Sequence, residues 1–392
     1  MADLLAPLAF LASHTPALKV VLAVAALAVL VGVALAVWWL LRRIYPEPGS
    51  DTGPEAAEKA PSISEGAAPS ISEEFSRGMA LLRRAAGGRK WRYSTPIVLC
   101  LGEERAGKGT LLESLGLHRP FGAAATVGAG KGTRPHSDCA WHLFDQGVAL
   151  DLAGKVVLRA DGEAGEDAGW HEFVRQLQRY RPERGLDGIV LAIPASDLAG
   201  QDRPSPEHLL AKGEAIYRRL WDLQQQTGLR LPVYVVVTKC DLVPGFQGFW
   251  RHAAARHGRE LFGWSNANNL EAAYGSHLID EAFAELDTEL RRTWVADAAD
   301  QDEPEDPDGM FLFPGEFQRL AEPLKLYLDR LFRPTAYHEA FFFRGLYFVG
   351  DCEQPVQPPA LRALVPAGAD MQVRAAAREE LRRPLFGTDL FA

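Results

Sequence analysis

The segment PIVLCLGEERAGKGT, residues 96–110, indicates how this chain folds. Its first part, residues 96–101, is a compact apolar run typical of a buried strand, and the amphipathic sequence LLESL follows the glycine-rich part. A strand, a glycine loop and a helix in this order form a phosphate-binding loop, in which backbone N–H groups surround the phosphates and the helix N-terminus favours negative charge. We therefore expect Gly102, Gly107 and Lys108 to contact phosphate.

The residue after the lysine departs from the usual pattern of such a loop. A serine or threonine there would supply a hydroxyl to Mg²⁺, but Gly109 stands at this position and the hydroxyl comes one residue later, at Thr110. One residue turns a helix by about 100°, so the Thr110 side chain points away from the metal position unless the loop is reset. Nucleoside monophosphate kinases also have GKGT, so both residues remain candidate nucleotide contacts and Thr110 remains a candidate Mg²⁺ ligand.

A second apolar run ends in an aspartate and a glycine. Residues 148–150 lead into DLAG, residues 151–154, which is similar to the DxxG element of GTPases. In that element the aspartate holds Mg²⁺ through water and the glycine amide contacts the terminal phosphate, so we expect these roles for Asp151 and Gly154. Lys155 follows where a glutamine would orient the attacking water, so no catalytic residue is assigned and any turnover is expected to be slow.

A third run, residues 233–237, leads into TKCD, which is similar to the (N/T)KxD element of GTPases. The carboxylate of Asp241 could accept two hydrogen bonds from guanine, while Thr238 and Lys239 complete the base site, with the lysine packing along the base. Ligands of open α/β sheets bind at the carboxyl ends of the strands. The three motifs therefore predict one site for GTP, or ATP, with Mg²⁺.

The remaining pattern alternates between helices and strands. Aromatic and apolar residues recur at helical spacing over 170–180, residues 187–194 form an apolar run, and residues 211–225 are amphipathic. This alternation predicts an α/β fold resembling P-loop NTPases, with a mainly parallel sheet and helices on both faces, in a GTPase-like domain at residues 75–245.

The Gly-rich stretch 121–134 follows the phosphate-binding loop. It contains Thr126 and Thr133, either of which could be the threonine that contacts the bound metal in the first switch of a GTPase. The stretch could equally be a mobile loop without a role in binding, and the sequence does not choose between these alternatives.

A membrane helix is expected near the N-terminus, after a short segment at residues 1–19. Residues 20–41 form a run of 22 residues without a charge, which spans about 33 Å as a helix and is longer than the apolar region of a cleaved signal peptide. Arg42 and Arg43 follow it, against Lys19 and the amino terminus on the other side. The positive-inside rule then places the rest of the chain in the cytoplasm, as a single-pass inner-membrane protein.

Residues 42–74 are rich in Pro, Gly, Ser, Ala and Glu, and the sequence APSISE occurs there twice. Such a segment has too few large apolar side chains to offset its ordering entropy, so a flexible linker is expected.

Beyond the GTPase-like domain, residues 246–392 are expected to form a helical extension with a returning hydrophobic strand. One amphipathic helix is predicted over 277–294 and another over 317–331, and the hydrophobic strand is predicted at 341–349. The acidic stretch 297–308 between the two helices is expected to be a solvated loop.

The composition argues against a nucleic-acid partner and against a zinc site. There are 42 Lys and Arg against 51 Asp and Glu, a net charge of −9, and this acidic balance disfavours binding to nucleic acid. The four cysteines, at positions 100, 139, 240 and 352, are far apart and contain no CxxC pair, so they are expected to pack as reduced thiols and not to bind zinc.

The order of these motifs resembles the N-terminal, cytoplasm-facing part of the IcmF/TssM family, inner-membrane components of bacterial type VI secretion systems. The resemblance covers residues 88–352. It includes the glycine loop and DLAG, and its most specific motifs are RPERGLDGIVLAI at 181–193, TKCDLVPGF at 238–246, FPGEF at 313–317 and FFFRGLYFVG at 341–350.

The resemblance implies a structural or regulatory GTPase-like domain at the inner membrane. Its expected partners are the membrane-complex proteins TssL and TssJ-linked TssM, and baseplate proteins such as TssK and TssG. Family members usually have two membrane helices before this domain and a large periplasmic region after it, so the sequence is expected to be a shortened paralogue or a truncated product. Two alternatives stay open, a P-loop scaffold that has lost nucleotide and a kinase-like phosphotransferase, in which TKCD would have no role.

Overall fold

A computed structural model gives the fold of this chain within the unit 65–392. The structure describes residues 69–86, 91–115, 117–119, 126–127, 138–158, 167–201, 203–250, 262–268, 273–300, 306–333 and 341–351. The predicted membrane helix at 20–41 lies outside these ranges. Within them, none of the helices combines the length and hydropathy that a bilayer span requires.

Helices and strands alternate over most of the described chain. The helices are α1 (Ile71–Ala86), α2 (Trp91–Ser94), α3 (Lys108–Ser114), α4 (Gly154–Val157), α5 (Asp167–Tyr180), α6 (Pro206–Thr227), α7 (His277–Asp300), α8 (Pro307–Gln318) and α9 (Ala321–Leu331). The strands are β1 (Ile97–Leu101), β2 (Thr126–Val127), β3 (Cys139–Leu143), β4 (Val148–Leu152), β5 (Gly188–Pro194), β6 (Pro232–Thr238), β7 (Gly263–Ser265) and β8 (Phe342–Phe348).

The strands form one sheet of eight in the order β2-β3-β4-β1-β5-β6-β8-β7. The five central strands, β4, β1, β5, β6 and β8, pair in parallel, and the pairs at both edges are antiparallel. The predicted α/β fold with a mainly parallel sheet is confirmed. Strands β7 and β8 come from beyond residue 245, so the sheet continues past the predicted end of the GTPase-like domain.

Alternate residues of each central strand face two separate hydrophobic cores, because successive side chains of a strand point to opposite faces. Leu99 and Leu101 of β1 face the larger core, which holds the buried faces of α1 and α5 to α9. Cys100 faces the smaller core, where Leu111 and Leu112 of α3 pack against the sheet. The sheet therefore has helices on both faces, as the sequence predicts.

Helix α1 begins within the segment predicted as a flexible linker, so that prediction is wrong for residues 71–74. A capping box starts the helix: the Ser70 hydroxyl accepts a hydrogen bond from the Glu73 amide, and the Glu73 carboxylate accepts one from the Ser70 amide. Phe75 then packs edge-on against Trp141 of β3 and Phe173 of α5. Helix α1 is thus part of the core of the domain.

Two predictions for the C-terminal part need correction. The acidic stretch 297–308 is not all loop, because α7 continues to Asp300 and α8 begins at Pro307. Asp306 caps α8 by accepting a hydrogen bond from Gly309, and proline suits the first helical position. The single helix predicted over 317–331 is two helices, α8 and α9, with a break between Gln318 and Ala321.

Replacing Gly78 with alanine is expected to lower the free energy of unfolding by about 1–3 kcal/mol, because overpacking in a dense core forces neighbours to move. A Cβ at Gly78 would lie 2.2 Å from Cδ2 of the buried Trp141 ring. Denaturant unfolding of the full chain would measure this. Gly315→Ala in α8 is the matched control, because its Cβ would meet none of the described atoms within 4 Å, apart from its own helix and chain neighbours. An unchanged free energy of unfolding in Gly78→Ala would contradict the packing of α1 on β3.

Candidate nucleotide site

The loop at residues 102–107 connects β1 to α3 in a conformation that requires glycine at two places. Gly102 has φ 152° and Gly107 has φ 81°, and a side chain is strained in this region of φ. A Cβ at Gly102 would also lie 2.6 Å from the carbonyl oxygen of Ala192 in β5. Arg105 is left-handed as well, with φ 64°. Together these residues turn the backbone sharply between strand and helix, as a phosphate-binding loop requires.

Lys108, the first residue of α3, folds back into this loop. Its Nζ donates hydrogen bonds of 3.0 Å to the carbonyl oxygens of Gly102 and Glu103. Burial lowers the pKa of the Lys108 ammonium, and the nearby Asp151 carboxylate opposes this by raising it. The lysine therefore sits where a phosphate bound by the loop would receive its charge.

Gly109 faces the carboxylate at the end of β4. A Cβ at this position would lie 3.6 Å from Oδ2 of Asp151, and no other atom of the described residues lies within 4 Å of it, its own helix and chain neighbours aside. The side chain of Asp151 is half-buried, whereas Thr110, the predicted Mg²⁺ ligand, is exposed to solvent. Position 109 is therefore the position whose side chain would face Asp151.

The DLAG segment contacts the loop backbone directly. A Cβ at Gly154 would lie 2.0 Å from the amide nitrogen of Glu104 and 2.4 Å from its Cα. Lys155, the next residue, forms a salt bridge of 2.7 Å with Asp138. This close approach brings the predicted phosphate contact Gly154 to the loop, and it explains why the position holds glycine.

The end of β6 supports the loop from the other side. The Thr238 hydroxyl donates a 2.6 Å hydrogen bond to the carbonyl oxygen of Ala106. A Cβ at Gly107 would lie 3.6 Å from Thr238 and 3.9 Å from Cε of Lys239, which is left-handed with φ 56°. Of the three predicted base-site residues, Thr238 therefore bonds to the phosphate-binding loop and Lys239 lies beside it.

Asp241, the third predicted base-site residue, contacts the segment just after β8, which was not predicted to be part of the site. Its Oδ1 accepts a 3.1 Å hydrogen bond from the amide of Asp351, just after β8. A Cβ at Gly350 would lie 2.9 Å from the Asp241 amide, so glycine allows this approach. The sequence signal for this segment is the hydrophobic run at 341–349, which is predicted as a strand and is followed by Gly-Asp. The other strands of the site likewise end at small or acidic residues. Gly350 and Asp351 join the site.

Other predicted residues fall at the margins of the described chain. Thr126 lies in the edge strand β2, and Thr133 lies outside the described residues.

Cys100, Cys139 and Cys240 are buried free thiols whose pKa values burial raises. Across the described ranges, no group of three or more His, Cys, Asp and Glu side chains is placed to hold a metal ion.

The residues present fit a phosphate group well and a metal ion in part. The loop offers the charge of Lys108 and the backbone of a strand–loop–helix turn, whereas a single carboxylate among the described residues, that of Asp151, faces position 109. Mg²⁺ commonly keeps several waters and uses one or two carboxylates together with phosphate oxygens. A metal here would be held by Asp151 and the nucleotide, without the hydroxyl that Gly109 lacks.

Thr238→Val is expected to lower the free energy of unfolding by about 1–3 kcal/mol, because it leaves the Ala106 carbonyl group without its buried donor. The Thr238 residue is 4% exposed, so water does not replace the hydroxyl. Urea unfolding would measure the loss, and Thr238→Ser, which keeps the hydroxyl, should be close to the wild type. Equal stability of the valine and serine variants would contradict the role of this hydrogen bond.

The fold and the site define an α/β protein built around a P-loop of the GTPase-like kind. Residues 163–392, more than half of the chain, match the IcmF-related N-terminal domain, and the chain belongs to this family. It is 32% identical over 290 residues to the type VI secretion system component TssM1 of Pseudomonas aeruginosa. That alignment covers 72% of this chain and 26% of the relative, so the chain spans about a quarter of the relative's length.

Solved structures of GTP-binding proteins resemble parts of the chain at low identity. The small COPII coat GTPase SAR1 from Encephalitozoon cuniculi, in complex with GDP, is 17% identical with a TM-score of 0.25, covering 44% of this chain and 60% of that one. The signal recognition particle receptor SRb-GTP/SRX complex from Chaetomium thermophilum is 18% identical with a TM-score of 0.22, covering 38% and 71%. At these scores, neither bears on what this chain binds.

Proposed function

We propose that this chain binds a guanine nucleotide in its P-loop domain and acts as a structural or regulatory component of a type VI secretion membrane complex. One observation carries the nucleotide part: residues from three separate motifs meet at the loop 102–107. Gly154 contacts its backbone, Asp151 faces its first helical turn, and Thr238 bonds to Ala106. A loop held from both sides in this way is suited to wrap phosphate groups.

The preference for guanine rests on Asp241. Its carboxylate lies at the carboxyl edge of the sheet, where the loops after β6 and β8 meet. An ionised carboxylate accepts hydrogen bonds from the N1–H and 2-amino groups of guanine, whereas adenine offers no such pair of donors. GTP or GDP is therefore the proposed ligand, ATP is the competitor to exclude, and Mg²⁺ would bind through Asp151.

The secretion role rests on membership in the IcmF-related family and on the likeness to TssM1. Residues 20–41 supply an apolar run long enough to anchor the chain in the inner membrane with the P-loop domain in the cytoplasm. In this position the domain would contact membrane-complex proteins such as TssL and TssJ-linked TssM, and baseplate proteins such as TssK and TssG.

Slow or absent turnover follows from the same geometry. Lys155 stands where a glutamine would orient the attacking water, and its Nζ is engaged by Asp138. Binding with little hydrolysis suits a structural or regulatory part better than an enzyme.

Calorimetric titration of GTP, GDP and ATP into the full chain in detergent, with and without Mg²⁺, tests the nucleotide proposal. We expect guanine-selective binding that is lost in Lys108→Ala, which removes the phosphate contact, and in Asp241→Asn, which removes the base acceptor. Lys325→Ala is the matched control, because its Nζ pairs with Asp280, away from the loop. Absence of binding by the wild type, or equal binding of ATP, would refute the proposal.

A second candidate is a scaffold that has lost nucleotide, and Gly109 favours it, because this position faces Asp151 without a hydroxyl. The scaffold predicts that Lys108→Ala leaves secretion-complex assembly unchanged. Co-purification of the variant with TssL and TssK would decide between the two, since the nucleotide-dependent component should lose these partners and the scaffold should keep them.

A further inference from the structure

The phosphate-binding loop contains a buried carboxylate, which is an unfavourable group beside a phosphate. The side chain of Glu103 is 13% exposed, and burial, the largest effect, raises its pKa. An anionic ligand of the loop would meet this charge at short range unless a cation neutralises it.

Lys212 of α6 supplies the cation that pairs with Glu103. Its side chain is 4% exposed, and its Nζ lies 2.5 Å from Oε2 of Glu103 and 2.6 Å from Oδ2 of Asp197. Asp197 belongs to the short 3-10 turn that follows β5. Three elements, the loop, the end of β5 and α6, therefore meet in one buried triad with a net charge of −1.

Glu103 is fixed at its backbone as well as at its side chain. Its carbonyl oxygen accepts a 3.0 Å hydrogen bond from Lys108, and a Cβ at Gly154 would lie 2.5 Å from its carbonyl carbon. The position of the residue at the start of the loop is thus set by two lysines and by the DLAG segment.

We propose that Lys212 is a positioning residue for the phosphate-binding loop, which it holds in its phosphate-ready conformation by neutralising Glu103. This inference rests on the proposed nucleotide function and specifies how the site tolerates an acidic loop. Without Lys212, two carboxylates would share a buried space with no cation. Such a pair either takes up a proton or moves apart, and movement of Glu103 displaces the loop backbone.

A purely structural role for Lys212 is the competing explanation. Helix α6 packs tightly on α9, where a Cβ at Gly213 would lie 2.8 Å from the carbonyl oxygen of Tyr327. If Lys212 only supported this packing, its loss would weaken every ligand contact and the fold together. A role through Glu103 instead affects the phosphate end of the site selectively.

The test measures displacement of a fluorescent GDP analogue from the full chain by GDP and by guanosine. In Lys212→Met we expect GDP to bind at least tenfold more weakly, with guanosine changed less than twofold. The double variant Lys212→Met with Glu103→Gln keeps the net charge of the triad at −1 through Asp197 and should recover most of the GDP affinity. Lys325→Met, which breaks an ion pair with Asp280 on the helical extension, should match the wild type.

Equal weakening of GDP and guanosine in Lys212→Met, or no recovery in the double variant, would overturn the proposal. Hydrogen exchange of the amides at 103–107, measured without nucleotide, provides a second test. We expect exchange to be at least tenfold faster in Lys212→Met than in the wild type, and unchanged exchange would also refute the role of Lys212. If the wild type binds no GDP, the nucleotide function fails, while the exchange rates still decide whether Lys212 holds the loop.

Discussion

Replacing Gly154 with alanine is expected to displace the phosphate-binding loop and to abolish nucleotide binding, with a loss of about 3 kcal/mol in the free energy of unfolding. The added Cβ would lie 2.0 Å from the backbone nitrogen of Glu104 and 2.4 Å from its Cα. Backbone atoms cannot rotate away as a flexible side chain can, so either the loop or the start of α4 must move. Loop movement also breaks the contacts that Lys108 makes with the carbonyl groups of Gly102 and Glu103.

The matched control is Gly109→Ala, the same chemical change in the same site. Of the described atoms outside its own helix, its Cβ would meet only Oδ2 of Asp151, at 3.6 Å, which is ordinary contact. Denaturant unfolding and GDP titration of the two variants would compare them directly. If Gly154→Ala were as stable as Gly109→Ala and bound GDP as the wild type does, the close approach of DLAG to the loop would be wrong.

The parts of the site that could be predicted from sequence are those written in contiguous segments. The glycine loop, DLAG and TKCD each follow an apolar run. Each motif can therefore be recognised locally, from its own residue types at the end of a predicted strand. The five predicted strands were found within a few residues, as the central parallel strands of the sheet. Their convergence follows from one rule, that parallel strands end at the same edge.

The parts that could not be predicted depend on pairing between distant residues. Strand β3 carries His142, buried among apolar neighbours, so its pattern is not that of a buried strand. A local signal was present in the glycine at position 147, whose carbonyl accepts from the Phe144 amide in the turn to β4. The placement of β8 beside β6 has no such signal, because a strand after a helical extension could have paired at either edge.

Buried polar contacts were the least predictable. Lys212 and Glu103 are 109 residues apart in sequence, and nothing near either residue indicates the other. A lysine in the middle of an amphipathic helix is ordinarily solvated, and only the folded chain shows that it faces the loop. The prediction of a solvated loop before α8 failed for a similar reason, because Asp306 caps that helix.

Replacing Gly109 with serine is expected to strengthen GDP binding at least tenfold in the presence of Mg²⁺ and to leave it unchanged in EDTA. The hydroxyl would project from a Cβ that lies 3.6 Å from Oδ2 of Asp151, and in the part of the chain that the structure describes no other atom outside its helix lies within 4 Å of that Cβ. Serine at this position supplies the hydroxyl that P-loops commonly use as an Mg²⁺ ligand. The substitution also replaces a helical glycine, which by itself raises helix stability by less than about 1 kcal/mol.

Two controls separate the metal effect from the helix effect. Gly109→Ala adds the Cβ without the hydroxyl and should bind GDP as the wild type does with or without Mg²⁺. Asp151→Asn combined with Gly109→Ser should lose the gain, because the carboxylate that faces the metal is gone. A gain of equal size in EDTA would show that the hydroxyl acts on the phosphate and not on a metal ion. No gain at all would mean that Asp151 does not hold Mg²⁺, and the site would then bind nucleotide, if at all, without the metal that GTP hydrolysis requires.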